Sequence, residues 1–125
     1  MNQLSTRVRE VADEIYTGRV IRDGLVAVLY SPGFGAGWTS WNPDFRQEMT
    51  FDPWIVDLLL NESYNQDEKH QRIEAHCNLK YPGAYLGGVG GLQVAWVPEG
   101  TLFRIEEYDG SESIEIHDIS DWIVA

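Results

Sequence analysis

The sequence has little cysteine, few basic residues and no long apolar run. Cys77 is the single cysteine among 125 residues, so no intrachain disulfide can form, and we expect a reducing, cytoplasmic setting. Residues 1–7 lack the apolar core of a signal peptide. The longest apolar stretch, residues 55–60, is interrupted by Asp57, so no membrane span is expected. One domain of this length buries enough surface to fold without disulfides, and we expect neither a cofactor nor a metal.

Basic residues are scarce because 9 Lys and Arg stand against 20 Asp and Glu, for a net charge of −11. This balance argues against nonspecific binding to nucleic acid or to an anionic membrane. The acids are concentrated in residues 99–125, where Arg104 is the one base. Such a segment forms either a solvated face or a surface that imitates the phosphate spacing of nucleic acid or docks on a basic partner. The candidate partner-binding residues are Glu106, Glu107, Asp109 and Glu112.

Local patterns predict one α+β domain over residues 1–125. An amphipathic helix is expected within residues 1–18, a strand at 25–30, a capped helix from Pro53 to about 60 and a polar helix at about 66–79. Strands follow at 92–97, 101–108 and 113–117, with a hairpin turn at Asp109-Gly110 and a short last strand at 119–124. We expect a mainly antiparallel sheet, a C-terminal meander joined by the strand near residue 27, with two or three helices packed on one face.

The most distinctive segment is the glycine–tryptophan loop, residues 31–42, with sequence SPGFGAGWTSWN. Its glycines miss the dinucleotide fingerprint, because Trp38 stands at offset 5 from Gly33 and Ser40 at offset 5 from Gly35. The loop also lacks the Gly-Lys-Ser/Thr ending of a phosphate-binding loop. What remains is either a backbone nest for an anion or a tight structural turn. A second glycine segment, residues 87–91, also precedes a strand and could converge with the loop.

Aromatic residues beside these glycines suggest a small nucleotide as one ligand. Stacking on a base would use Trp38, Trp41 and Tyr85. The backbone N–H groups of Gly35 and Gly37 would meet a phosphate, with Arg104 adding charge. Structural packing of the aromatic rings is the competing interpretation.

Catalytic and metal chemistry has little support in the sequence, and no residue is assigned to either. Asp67, His70 and Glu74 share one helical face, with His76 and Cys77 nearby, a pattern that a hydrated polar helix also explains. A small metal-dependent hydrolase would use the carboxylates of Glu106, Glu107 and Asp109. No nucleophile, base and orienting group occur together.

Five segments together resemble a group of small proteins of bacteriophages and prophages. They are residues 31–42, 51–56 (FDPWIV), 85–88 (YLGG), 96–101 (WVPEGT) and 103–112 (FRIEEYDGSE). The resemblance covers roughly residues 25–125 and leaves the N-terminal helix outside. It implies a phage setting without a particular chemistry, and it favours the matching segments as the functional ones.

We therefore expect a non-enzymatic phage accessory protein that acts by binding. Its target would be a host protein, such as a defence factor that it inhibits, or a small nucleotide signal that it sequesters. The alternatives are the metal-dependent hydrolase and a structural homo-oligomer assembled through edge strands.

Overall fold

A computed structural model of the chain describes residues 18–35 and 37–117. The strands are β1 (Ile21–Arg22), β2 (Leu25–Tyr30), β3 (Gln93–Pro98), β4 (Phe103–Tyr108) and β5 (Ser111–Ile116). The α-helices in these ranges are α1 (Arg46–Phe51), α2 (Pro53–Leu60) and α3 (Gln66–Lys80). Short 3-10 turns span Thr39–Trp41, Pro43–Phe45 and Val89–Gly91. The expected α+β fold is confirmed, whereas the predicted N-terminal helix and last strand lie outside the described residues.

Local sequence signals account for several of these elements. At the tip of the β1–β2 hairpin, Asp23 and Gly24 have φ of 52° and 75°; at the β4–β5 tip, Asp109 and Gly110 have 49° and 83°. Positive φ at both central positions is the geometry for which Asp-Gly is favoured in two-residue hairpins. The α2 helix begins after Asp52, whose Oδ1 accepts hydrogen bonds from the backbone N–H groups of its first turn, as the cap pattern predicts.

The strands form two sheets, not the single meander that the sequence suggested. The first has the order β1-β2-β3 and the second contains β4 and β5, all antiparallel. After β3 the chain turns away, with the Thr101 N–H donating to the Pro98 carbonyl. The reason lies in β2, which is apolar on both faces and therefore needs cover on both.

The three-stranded sheet is covered by helices on one face and by the β4–β5 hairpin on the other. Ala27 and Leu29 of β2 belong to a core with apolar residues of all three helices, among them Met49, Ile55, Val56, Ile73 and Cys77. Val26 and Val28 face the opposite way and pack with Phe51, Phe103, Ile105 and Ile114. This layering brings the tip of the hairpin to the end of β2, where the glycine–tryptophan loop begins.

Candidate functional site

The carboxylate of Glu112 lies at the centre of the glycine–tryptophan loop. Its Oε1 accepts the Ser31 N–H at 2.9 Å. Its Oε2 accepts the N–H groups of Trp38 and Ser40, each at 2.9 Å, and the Ser40 hydroxyl at 2.5 Å. Only 2% of Glu112 is exposed. The loop therefore does gather backbone donors around an anion, and the chain itself supplies that anion.

The burial of Glu112 corrects its predicted place in an exposed partner surface. Its strand partner is Glu107, so the two side chains share one face of the β4–β5 hairpin. That face turns toward the body of the protein, where Ile105 and Ile114 pack on the core. The alternation of β5 places Glu112 on the same face as Ile114, a signal for its inward position that the sequence analysis did not use.

Two other predicted ligand residues are also placed differently. Trp38 is fully buried, and its indole N–H donates to the Met49 carbonyl at 2.8 Å, so its ring cannot stack on a ligand. The Gly35 N–H donates to the Asp109 carbonyl, so it does not face a phosphate. The loop is held as part of the core and of the hairpin contact, which is the structural interpretation of its glycines.

Arg104 does not join the loop. It lies on the outer face of the hairpin, with ion pairs to Glu106 at 2.7 Å and to Glu115 at 2.9 Å. The hydrogen bond and charge of Glu115 raise the pKa of Arg104, and the same neighbour raises the pKa of Glu106. Glu106 is therefore exposed but already paired, away from the loop.

Trp41 and Tyr85, by contrast, do meet at the surface. Their ring centroids are 5.0 Å apart, and 38% of Trp41 and 41% of Tyr85 are exposed. The Trp41 indole N–H donates to Oε1 of Glu107 at 3.2 Å. A Cβ atom built on Gly37 would lie 2.6 Å from the Trp41 ring, so a glycine is needed there for the ring to lie flat on the backbone. Trp41 is thus held in place on three sides while one side stays open.

The two glycine segments converge around Tyr85. The Tyr85 hydroxyl donates to the Gly35 carbonyl at 2.9 Å, and a Cβ on Gly87 would lie 2.2 Å from that hydroxyl oxygen. Asn42 fixes the Tyr85 backbone from the other side, with its Oδ1 accepting the Tyr85 N–H at 2.7 Å. Gly87 of the second glycine segment therefore leaves room for the Tyr85 ring to lie across the backbone.

A second exposed aromatic pair continues the surface. Phe34 and Tyr108 are 75% and 72% exposed and meet edge to face, with centroids 6.5 Å apart. Phe34 immediately precedes Gly35, whose backbone contacts both Asp109 and the Tyr85 hydroxyl, so the two pairs lie next to each other. We call Phe34, Trp41, Tyr85 and Tyr108 the aromatic patch. The sequence analysis missed Phe34, although a bulky apolar residue between two loop glycines was a usable signal.

The rim of the aromatic patch is acidic. Glu107 and Asp109 are exposed beside it at the hairpin tip. Glu107 also accepts the Gly110 N–H at 2.5 Å, which fixes its carboxylate between the turn and Trp41. The cation–π contacts among the described residues involve Phe51, Trp96, Tyr64 and Tyr81. Within these ranges, therefore, no cation of the chain covers the patch.

A buried polar cluster elsewhere ties α2 to α3. Oδ2 of Asp52 accepts hydrogen bonds from the Tyr81 hydroxyl at 2.5 Å, from His76 at 2.9 Å and from Lys80 at 3.3 Å. Burial works to raise the pKa of Asp52, but these donors outweigh it and the pKa is lowered. The same burial and the nearby carboxylate raise the pKa of Tyr81. The sequence analysis identified Asp52 only as a helix cap, because its other partners are more than twenty residues away.

The candidate metal-binding histidines form hydrogen bonds with carboxylates of the chain. His70 bonds to Glu74 at 2.8 Å, and His76 bonds to Asp52. Burial raises the pKa of the Cys77 thiol to about 12, which keeps it protonated. In the part of the chain that the structure describes, no group of three His, Cys, Asp or Glu side chains is arranged to hold a metal ion.

Comparison with known proteins gives no relative for this chain: no protein-family model, no curated protein and no solved structure matches it. Among the described helices, none combines the length and apolar character needed to cross a bilayer.

Proposed function

We propose that this chain is a non-catalytic binding protein that docks on a basic segment of a partner protein through the aromatic patch and its acidic rim. The observation that carries the proposal is the open face of Trp41. This ring is fixed by Gly37, Tyr85 and Glu107, yet no cation among the described residues covers it.

The chemistry of the patch suits an arginine or lysine of the partner. A cation over an aromatic face gains about 0.5–2 kcal/mol, depending on its desolvation. Glu107 and Asp109 lie where they can receive the N–H groups of that cation, and charge-assisted hydrogen bonds are about twice as strong as neutral ones. The combination selects for a positive side chain over an apolar one.

Rigidity makes the patch a favourable interface. Side chains that are already held in place lose little conformational entropy on binding. Tryptophan, tyrosine and arginine are also the residues that dominate binding energy in protein interfaces. The net charge of −11 adds long-range attraction for a basic partner, which raises the association rate at low salt.

The alternative functions have less support from the geometry. A nucleotide at the loop would need the donors that Glu112 occupies and the ring of Trp38, which is buried. A hydrolase would need Glu106 and Glu107 to act together, whereas Glu106 pairs with Arg104 and Glu107 holds the Trp41 indole. The resemblance to phage proteins favours a host protein, met in the host cytoplasm, as the partner.

The test is a titration with a short arginine-bearing peptide, followed by the NMR signal of the Trp41 indole N–H. The same peptide with citrulline in place of arginine is the neutral control. We expect the signal to shift with arginine and to stay in place with citrulline. Trp41→Ala and Tyr108→Ala should each weaken binding, while Trp54→Ala, which removes an exposed tryptophan on α2, should not.

Equal binding of the two peptides would contradict the proposal, as would equal weakening by Trp54→Ala and Trp41→Ala. Sedimentation supplies a further test. If the chain forms a dimer and Trp41→Ala dissociates it, the aromatic patch binds a second copy of the chain instead of a basic partner. That result would favour the homo-oligomer.

A further inference from the structure

A cleft of about 510 Å³ lies between α1 and the start of β4, beneath the hairpin. Among the described residues that line it, the charged ones are Arg19, Arg46 and Arg104, and none is an aspartate or glutamate. The whole sequence has 9 Lys and Arg against 20 Asp and Glu. Three arginines around one cleft are therefore a strong local reversal of the protein's charge.

Arg19 has no side-chain hydrogen bond with any residue that the structure describes. Its guanidinium carbon lies 4.3 Å from the centroid of the Phe51 ring, so the group rests against this ring. Its Nε is buried and has no hydrogen-bond partner within the described ranges. A buried donor left unsatisfied destabilises the folded protein, and more so when it belongs to a charged group. The terminal N–H groups of Arg19, and not the enclosed Nε, are the donors that can meet an oxyanion in the cleft.

Arg46 is the second arginine of the cleft that has no ion pair with a described residue. It is exposed on the first turn of α1, and neither it nor Arg19 forms an ion pair with any residue in 18–35 or 37–117. Arg104 differs, because Glu106 and Glu115 already neutralise it from the outer face of the hairpin. The unsatisfied positive charge of the cleft thus comes from Arg19 and Arg46, with Arg104 at its edge.

The hydroxyl groups of the lining do not compete for the same role. Thr50 donates to the Arg46 carbonyl and Thr101 to the Pro98 carbonyl, each at 2.6 Å. With these protons engaged, the side-chain donors left among the described lining residues are the guanidinium groups and the amide of Gln47. Planar guanidinium groups bind two oxygens of one phosphate at once, which gives both strength and orientation.

We propose that this cleft binds a small phosphate-bearing molecule through Arg19 and Arg46. Its volume falls within the usual range for small-molecule sites, about 300–1,000 Å³. A small ligand fits better than a nucleic acid strand, because the net charge of −11 repels an extended polyanion. The site is separate from the aromatic patch, so it would serve a second ligand.

The test is calorimetric titration of the full chain with pyrophosphate and with adenosine monophosphate, at constant ionic strength. Citrate serves as the carboxylate comparison. We expect both phosphate probes to bind and to raise the unfolding temperature, since a ligand that binds only the folded state stabilises it. Arg46→Gln should weaken binding by about tenfold or more, as expected for losing charge-assisted hydrogen bonds.

The matched control is Arg72→Gln, which makes the same charge change at an arginine stacked on Tyr64. It should leave phosphate binding within about twofold, the effect of a distant charge screened by salt. Arg19→Lys supplies a variant that keeps the charge but loses the planar group, and it should also weaken binding. Circular dichroism would establish that each variant is folded.

Three results would overturn the proposal. The first is the absence of binding by both phosphate probes. The second is equal weakening by Arg46→Gln and Arg72→Gln, which would mean that only net charge matters. The third is tighter binding of citrate than of both phosphate probes, which would reassign the cleft to carboxylates. The proposal is independent of the aromatic patch, because Trp41→Ala should leave phosphate binding unchanged.

Discussion

The glycine–tryptophan loop and the arginine cleft, which is lined by Arg19, Arg46 and Arg104, differ in whether an acidic side chain of the protein occupies their hydrogen-bond donors. The loop gathers three backbone N–H groups and a hydroxyl, and the buried carboxylate of Glu112 satisfies all of them. The cleft gathers guanidinium groups, and no carboxylate is among the described residues that line it. A set of converging donors is therefore a binding site only when the chain has no acid of its own to fill it.

The largest expected effect comes from Glu112→Gln. Whichever way the amide is turned, its NH₂ group faces backbone N–H donors of the loop, so at least one buried donor loses its acceptor. We expect a loss of about 3 kcal/mol in the free energy of unfolding, measured by urea denaturation. Glu115→Gln, on the exposed face of the same strand, should cost much less, because its ion pair with Arg104 is exposed to solvent.

A loss for Glu112→Gln no greater than that for Glu115→Gln would break the comparison. It would mean that the loop holds its shape without its internal anion, and the nest would then be open to external ligands.

Acid titration tests the second internally satisfied carboxylate, Asp52. Because its pKa is lowered in the folded state, its contribution is complete above the ordinary value of 3.8 and is lost as the pH falls through the lowered pKa. Asp52→Asn should lose about 2 kcal/mol at neutral pH and show a flatter decline in acid. An acid decline as steep in Asp52→Asn as in the parent would contradict the role given to this group.

Gly37→Ala tests the contact between the backbone of the loop and the Trp41 ring. The added methyl group would lie 2.6 Å from the Trp41 ring and displace it, at a cost of about 1–2 kcal/mol. Binding of the arginine peptide should fall as well. At Gly91 an added Cβ would meet only the Ser31 hydroxyl, at 3.6 Å, so Gly91→Ala is the control.

The outcome against this interpretation is equal behaviour of the two alanine variants. Loss of stability with full peptide binding in Gly37→Ala would separate the packing of Trp41 from its proposed docking role.

The smallest expected effect on stability is that of Arg46→Gln. Arg46 is exposed and forms no ion pair with a described residue, so its removal should change the free energy of unfolding by less than about 0.5 kcal/mol. Thermal unfolding without ligand measures this directly. A large loss would show that Arg46 supports the fold, as Glu112 does, and that the two regions are not opposites.

Sequence patterns were sufficient where the determinant is local. Strand β2 was predicted at its observed bounds, and the Asp52-Pro53 start of α2 and the Asp109-Gly110 turn were confirmed. The patterns failed where the determinant is long-range. Glu112 was predicted to be a solvated acid of the hairpin, because the backbone N–H groups that bind its carboxylate are more than seventy residues away in the sequence.

The two sites illustrate the same limit. For the loop, the sequence left open a backbone nest for an anion and a tight structural turn, and it did not reveal that Glu112 supplies an internal anion. The cleft left no signal, because Arg19, Arg46 and Arg104 are far apart in the sequence and converge only through the packing of α1 beside the hairpin. Burial on both faces of β2 creates that packing, and strand periodicity alone does not reveal where the covering hairpin lies.

The most direct test of the contrast is an NMR titration with pyrophosphate that follows both regions at once. The account predicts that the Arg19 and Arg46 side-chain N–H signals shift, while the backbone N–H signals of Ser31, Trp38 and Ser40 stay in place. Shifts of those three loop signals, with the arginine signals unchanged, would contradict it.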